Sequence, residues 1–358
     1  MYPDFQYLLR GLLGVDVPEW VGIFKTFGFF VALAFMAGGL VVVREMKRKE
    51  QLGLLQPEIV EREDKKTGVK KKVAVLPHQR VTDILVIGAI SGLIGAKLFN
   101  ALETWEDFIN DPIDNLFSRS GLTFYGGLIV AAAALAYYCR KHNISFVHFA
   151  DSVAPGLMLA YGVGRLGCHF SGDGDWGIFN SAYVTGTDGA LKLAGPGEYQ
   201  SMLQTAHPYF VSNFGSLEAV PHMSVVAPSW LPDWSVAMNY AHNVNNEGMR
   251  LADCVGNYCA VLPVGVFPTS LYEAITCTIL AFLLIGMRNI FKYPLHLFGF
   301  YLILNGLERF FVEKIRVNYK YDWGFLQPTQ AEIISTLLVL TGLSILLFYK
   351  PKKEVEPA

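Results

Sequence analysis

The chain has 358 residues, 52% of them hydrophobic and only 17% charged, with a formal net charge of -2. Soluble domains carry roughly 25% charged residues, and here the apolar residues form long runs, so membrane spans are expected rather than one large soluble core. The small negative net charge argues against nucleic acid as a partner.

In chain order, transmembrane helices are expected at residues 20–43, 82–102, 122–139, 149–170, 268–287, 295–312 and 329–349. Each approaches the ~20 residues that cross a ~30 Å hydrocarbon core, and helices satisfy their own backbone hydrogen bonds there. The expected fold is therefore an all-α integral membrane protein with about seven spans. Residues 44–80, with Arg44, Lys47, Arg48, Lys49 and Lys70–Lys72, read as a cytoplasmic loop. Further bases follow the third, fifth and seventh spans: Arg140 and Lys141, Arg288 and Lys292, Lys350, Lys352 and Lys353. The positive-inside rule then places the amino terminus outside and the carboxyl terminus inside. Residues 178–267 hold only Lys192 and Arg250 as bases and are rich in glycine, proline and aromatics, which suits a small extracytoplasmic head. Lys314, Arg316 and Lys320 fall on the expected outer side, where lipid phosphate would explain them.

Cys139 and Cys277 lie in apolar runs as inert core residues. Cys254 and Cys259 lie in the polar stretch and can pair if it faces an oxidising compartment. No Cys/His set has zinc spacing, so no metal is expected.

The strongest local signal runs from Gly162 to Gly177, at the end of the fourth span, and contains Arg165, Cys168, His169, Asp173 and Asp175. A charge at that depth costs at least ~2.5–3.5 kcal/mol on insertion scales, so Arg165 needs a partner. Its planar fork fits phosphate oxygens; equally, Asp173, Asp175 or another helix's carboxylate could pair with it. Arg309, Glu313 and Arg316 recur at spacings of four and three and would share a helix face. Phe267 to Glu273 opens the fifth span, and Thr123, Phe124, Tyr125, Gly126 and Gly127 open the third. All four pieces fall at the outer ends of their spans. Together they suit an anionic phospholipid head group with a nearby acid or base.

These motifs resemble those of the bacterial prolipoprotein diacylglyceryl transferases. Gly164-Arg165-Leu166-Gly167 through Gly177 is similar to the family signature GRxGNFxNxExxG. The Tyr125 segment resembles the HGGLI element, Phe267 to Glu273 the HPSQLYE element, and Arg309 to Arg316 the RxxVExxR element. Gly92 to Lys97 resembles a Gly-Gly-Arg stretch, and Asp151 and Pro155 fit the pattern before the signature. The resemblance implies transfer of a diacylglyceryl group from phosphatidylglycerol to the lipobox cysteine of a prolipoprotein signal peptide. A thioether forms and glycerol phosphate leaves, without metal or organic cofactor. It also implies the cytoplasmic membrane of a bacterium, with the active site toward the periplasm. Catalytic roles are then expected for Arg165, Arg309, Tyr125, Asp173, Asp175, His169 and Glu313. Substrate contacts are expected for Arg165, Arg309, Arg316, Gly126, Gly127, Gly164, Gly167, Gly177, Tyr272, Glu273 and Lys97. Tyr125 stands where the family has histidine, Cys168 where it has asparagine, and Lys97 where it has arginine, so the general base does not carry over. A non-catalytic lipid-binding relative and a transporter are the competing classes; clustering at one membrane face and the lack of repeats disfavour the transporter.

Overall fold

The structure, a computed structural model, describes residues 1–63, 70–113, 123–252, 254–318, 320–322, 324 and 326–350. Its helices are α1 (Phe5–Leu13), α2 (Thr26–Gln51), α3 (Val81–Glu103), α4 (Trp105–Asn110), α5 (Phe124–Lys141) and α6 (Phe146–Ser171). After these come α7 (Glu198–Thr205), α8 (His207–Phe214), α9 (Thr269–Met287), α10 (His296–Glu313) and α11 (Gln330–Phe348). Among the described residues five helical stretches are long and apolar enough to cross a membrane: Thr26–Gln51, Pro77–Glu103, Phe146–Ser171, Thr269–Met287 and Gln330–Phe348. They leave large apolar side chains uncovered, such as Ile94 and Leu98 on α3, Phe282 on α9, and Leu337 and Leu347 on α11. Such faces belong in lipid, and the chain is a mostly helical membrane protein.

The chain divides into two compact units. The first comprises Met1–Ala34, Leu157–Met287 and Gly299–Tyr349; the second includes Phe35–Gly156 and Arg288–Phe298.

In the first unit, α1 begins at Asp4, whose carboxylate accepts from Tyr7 N at 3.2 Å, and ends at Gly14 with φ 66°. The sequence reading did not anticipate this helix. α11 opens on a capping box: Thr329 Oγ1 accepts from Glu332 N, and Glu332 Oε2 accepts from Thr329 N. α10 and α11 approach so closely that a Cβ on Gly342 would lie 2.4 Å from the carbonyl oxygen of Gly299.

The expected head is not helical alone, which corrects the all-α expectation. β3 (Phe179–Thr185) pairs antiparallel with β4 (Leu191–Leu193), parallel with β5 (His222–Met223) and antiparallel with β8 (Val264–Val266). A second small pair joins β6 (Met249–Arg250) to β7 (Ala260–Val261). Phe179, Val184, Phe210, Tyr240, Leu262, Val264 and Val266 form the buried core between this sheet and α7 and α8. Cys254 and Cys259 are joined in a disulfide.

In the second unit α3 and α5 pack along small residues. A Cβ on Gly95 would lie 2.4 Å from the Gly126 carbonyl oxygen, and one on Gly127 2.8 Å from that of Gly92. Regular structure reaches into the expected cytoplasmic loop: α2 continues to Gln51, and β1 (Glu58–Glu63) pairs antiparallel with β2 (Lys70–Val75). Residues 64–69 of that loop, residues 114–121 before the expected third span, the start of that span at residue 122, and Lys352 and Lys353 lie outside the described residues.

Candidate active site

Three elements of the first unit deliver the site: the end of α6 with its following loop, the start of α9, and the end of α10 with its following turn. Glu273 sits one turn into α9 and is fully buried. A lone carboxylate there would be very costly, so it must gather partners. It gathers three guanidinium groups and a phenol. Arg165 Nε donates to Glu273 Oε2 at 2.5 Å, and Arg165 Nη2 pairs with the same oxygen. Arg309 Nη1 reaches Glu273 Oε1 at 3.3 Å, and Arg316 Nη1 reaches Oε2 at 3.5 Å. Tyr161 donates its hydroxyl to Glu273 Oε1 at 3.0 Å.

Two further carboxylates complete the network. Asp175 accepts from Arg165 Nη1 at 2.5 Å and pairs with Arg316 Nη2. Glu313 pairs with Arg309 Nη2 at 2.8 Å, one helical turn away, and accepts from Asn318 at 2.7 Å. Three arginines and three carboxylates thus interlock, with side chains of Glu273 and Glu313 at 0% exposure and that of Asp175 at 31%. Asp175 is the one that water reaches. Burial pushes its carboxyl up, but Arg165 and Arg316 outweigh this and hold it at about 2. Asp173, two residues earlier, is pushed up by burial and by the negative charge of Asp175. It makes no ion pair among the described residues.

Arg316 does not continue the helical face expected for it, because α10 ends at Glu313. It arrives by another route. The backbone at Gly177 bridges Arg316, with Ile178 N donating to Ile315 O at 2.9 Å. A Cβ on Gly177 would stand 2.6 Å from Ile315 O, so only glycine allows this approach. Thr269 Oγ1 at the start of α9 donates to the Asp175 carbonyl at 2.8 Å, tying the same loop to α9. Asp175 and Arg316 also line a cavity of about 260 Å³, together with Glu247 and Asn318.

Arg165, Arg309, Arg316, Asp175, Glu273, Glu313 and Gly177 therefore meet. His169 stands apart: its Nδ1 lies 3.3 Å from the Tyr240 hydroxyl, and its ring packs edge-on against Phe170 and Tyr240. Tyr272 donates to the Ser235 carbonyl at 2.5 Å, holding the head rather than the network. Gly167 lets α6 approach Phe27 and Phe30 of α2, whereas a Cβ on Gly164 would meet nothing within 4 Å. Tyr125, Gly126, Gly127 and Lys97 belong to the second unit, where Gly126 and Gly127 serve the α3–α5 packing. Cys168, Asp173 and Asp175 place one ligand atom each within 4.8 Å of one another. Asp175 is already engaged by two cations, which disfavours a metal there.

Two residues carry no assigned role in the sequence reading. Tyr161 lies one turn before Arg165, a spacing that shares its face. Glu308 precedes Arg309, and its buried carboxyl oxygens lack a well-formed hydrogen bond.

The comparisons agree with the motifs. The family model for prolipoprotein diacylglyceryl transferase matches residues 21–348. A phosphatidylglycerol–prolipoprotein diacylglyceryl transferase of Shouchella clausii is 23% identical over 287 residues, 79% of this chain and 80% of that protein. One from Leptospira interrogans is 27% identical over 189 residues, 46% of this chain and 51% of that protein. One from Enterococcus faecalis is 37% identical over 93 residues, 26% of this chain and 34% of that protein. The chain thus spans about half the length of the Leptospira relative it matches. With the match running through all three elements that build the arginine network, the chain belongs to the prolipoprotein diacylglyceryl transferase family.

Proposed function

We propose that the protein transfers the diacylglyceryl group of phosphatidylglycerol to the lipobox cysteine thiol of prolipoproteins. The thiolate sulfur attacks the glycerol carbon that bears the phosphate ester. The carbon–sulfur bond forms, the carbon–oxygen bond breaks, and glycerol phosphate leaves with the electron pair. The observation that carries this reading is the network in which Arg165, Arg309 and Arg316 are held by buried carboxylates. Charge develops on the departing phosphate, and preorganised guanidinium groups stabilise it without reorganising. Glu273 and Glu313 are the fixed anchors. Asp175 is the exchangeable ligand: a phosphate can take its place between Arg165 and Arg316 from the adjoining cavity.

The thiol must lose a proton. Asp173 is assigned that proton, because its carboxylate is free of ion pairs and its affinity for protons is raised. Glu313 is committed to Arg309 and Asn318, and His169 to the packing against Tyr240.

In this reading the protein lies in the bacterial cytoplasmic membrane. α5 and α10, at 18 residues each, join the five longer spans to make seven. The amino terminus and the head of residues 178–267 face the periplasm, and the Cys254–Cys259 disulfide supports that side.

The test is complementation of a transferase-depleted bacterium, with thioether formation on a lipobox peptide followed in vitro. The wild-type chain should restore growth and modify the peptide when phosphatidylglycerol is present. Arg165→Ala and Arg309→Ala should abolish transfer while both variants remain folded. A folded chain that neither complements nor transfers, or a fully active Arg165→Ala, refutes the reading.

A further inference from the structure

A second charged cavity lies in the unit that does not contain the arginine network. Its volume is about 420 Å³, and Arg48, Lys49, Arg288 and Lys292 line it beside a wall that includes Leu52 and Phe291. Asp151 is the one carboxylate among its lining residues, and both of its oxygens already accept hydrogen bonds. Oδ2 accepts from Lys49 Nζ at 3.1 Å and from Leu295 N at 2.9 Å, and Oδ1 accepts from Phe298 N at 3.0 Å. Behind the wall, buried Glu45 takes Arg48 Nε at 3.0 Å and pairs with Arg288. Lys292 makes no ion pair among the described residues. Four cations therefore meet two carboxylates, and the surplus faces the open space.

This is more than a solvated basic edge. The Lys49 side chain is 94% buried yet reaches the cavity wall, which follows from its 6% exposure. Leu295 holds φ 69°, a left-handed conformation that a leucine keeps only when its surroundings impose it. What imposes it is the pair of N–H bonds to Asp151, which fix the turn carrying Arg288 and Lys292 against α2. Arginine forks and ammonium groups with spare donors around a cavity of this size suit tetrahedral oxyanions.

We propose that this cavity binds a phosphate-bearing anion: the phosphodiester of an acidic phospholipid head group, or free phosphate. The apolar wall of Leu52 and Phe291 favours a ligand with an attached glycerol or acyl portion.

Calorimetric titration of the full chain in a neutral detergent tests this. The titrants are inorganic phosphate and dihexanoyl phosphatidylglycerol, and the Arg165→Ala variant serves as the background in which the transferase site is disabled. Saturable binding should persist in Arg165→Ala. It should weaken about tenfold when Lys292→Gln is added, the loss of one charge-assisted contact. It should weaken further with Arg48→Gln, where Arg288 still covers Glu45. Lipid-only binding identifies a membrane lipid as the ligand; binding of phosphate as well identifies the free anion as sufficient. Wild-type affinity for both titrants in the Lys292→Gln and Arg48→Gln variants, or no saturable binding in Arg165→Ala, overturns the proposal. Neither result depends on whether the chain transfers diacylglyceryl groups.

Discussion

Glu273→Gln is the most informative single change in the network. Glu273 is fully buried and meets Arg165, Arg309 and Arg316, so its carboxylate charge is shared by three guanidinium groups. Glutamine preserves the shape and can still accept from Tyr161, but it removes the negative charge. Three cations would then face only Asp175 and Glu313. Stranding a buried charge costs about 3–5 kcal/mol. At roughly 2 °C per kcal/mol for a large domain, the melting temperature should fall by about 6–10 °C. Asp175→Asn removes a carboxylate bound to two of the same arginines, but at 31% side-chain exposure water can compensate, so its drop should be clearly smaller. Thermal unfolding of the detergent-solubilised protein, read by tryptophan fluorescence, gives both numbers. An Asp175→Asn shift equal to or larger than that of Glu273→Gln would refute the claim that burial makes Glu273 the anchor.

Asp175 also predicts an acid dependence. Its folded value of about 2 lies below the ~3.9 of an unfolded aspartate, so its pairing stabilises fully above the latter. That contribution disappears as pH falls from about 4 through 2, and melting curves across this interval should flatten in Asp175→Asn. Asp173 has the opposite sign: a raised folded value means its ionised form opposes folding. Asp173→Asn should therefore keep or raise the melting temperature at neutral pH while slowing transfer by about 10²–10⁴-fold in kcat. Gly177→Ala should lose about 1–3 kcal/mol and most activity, because its Cβ would push Ile315 and Arg316 away from Asp175. Gly164→Ala meets nothing within 4 Å and should be neutral or mildly stabilising.

The helices that span were legible because apolar runs of that length have few other uses. Arg165 was legible as a charge in need of a partner, and two of its candidate partners act together: Asp175 from its own loop and Glu273 from α9. The head was not legible as a sheet. β3 pairs Phe179 with Val266, far along the chain, and no local periodicity reports such pairing. Arg316 joins the network with Asp175 and Glu273, but not by the route its spacing suggests. Helical spacing suggested it, yet the helix stops three residues earlier and a backbone bridge at Gly177 does the positioning. Gly126 and Gly127 carried a motif's authority, but a close helix crossing explains both. His169 lies one turn after Arg165 on α6, yet its ring is taken up by Tyr240 and Phe170 and not by the carboxylates of the network.

The Gly177 backbone has one more consequence. Gly177 N donates to Phe267 O at 2.8 Å, and Phe267 N donates to Ile178 O at 3.1 Å. The polypeptide therefore leaves for the head and returns from it through the same pair of hydrogen bonds. Whatever lies between is a closed excursion whose two ends are already joined. Lengthening such an excursion adds only a slowly growing closure entropy. The segment of residues 178–267 can thus be lengthened or shortened while Arg165, Glu273 and Arg316 keep their places, which leaves its size free to vary independently of the arginine network.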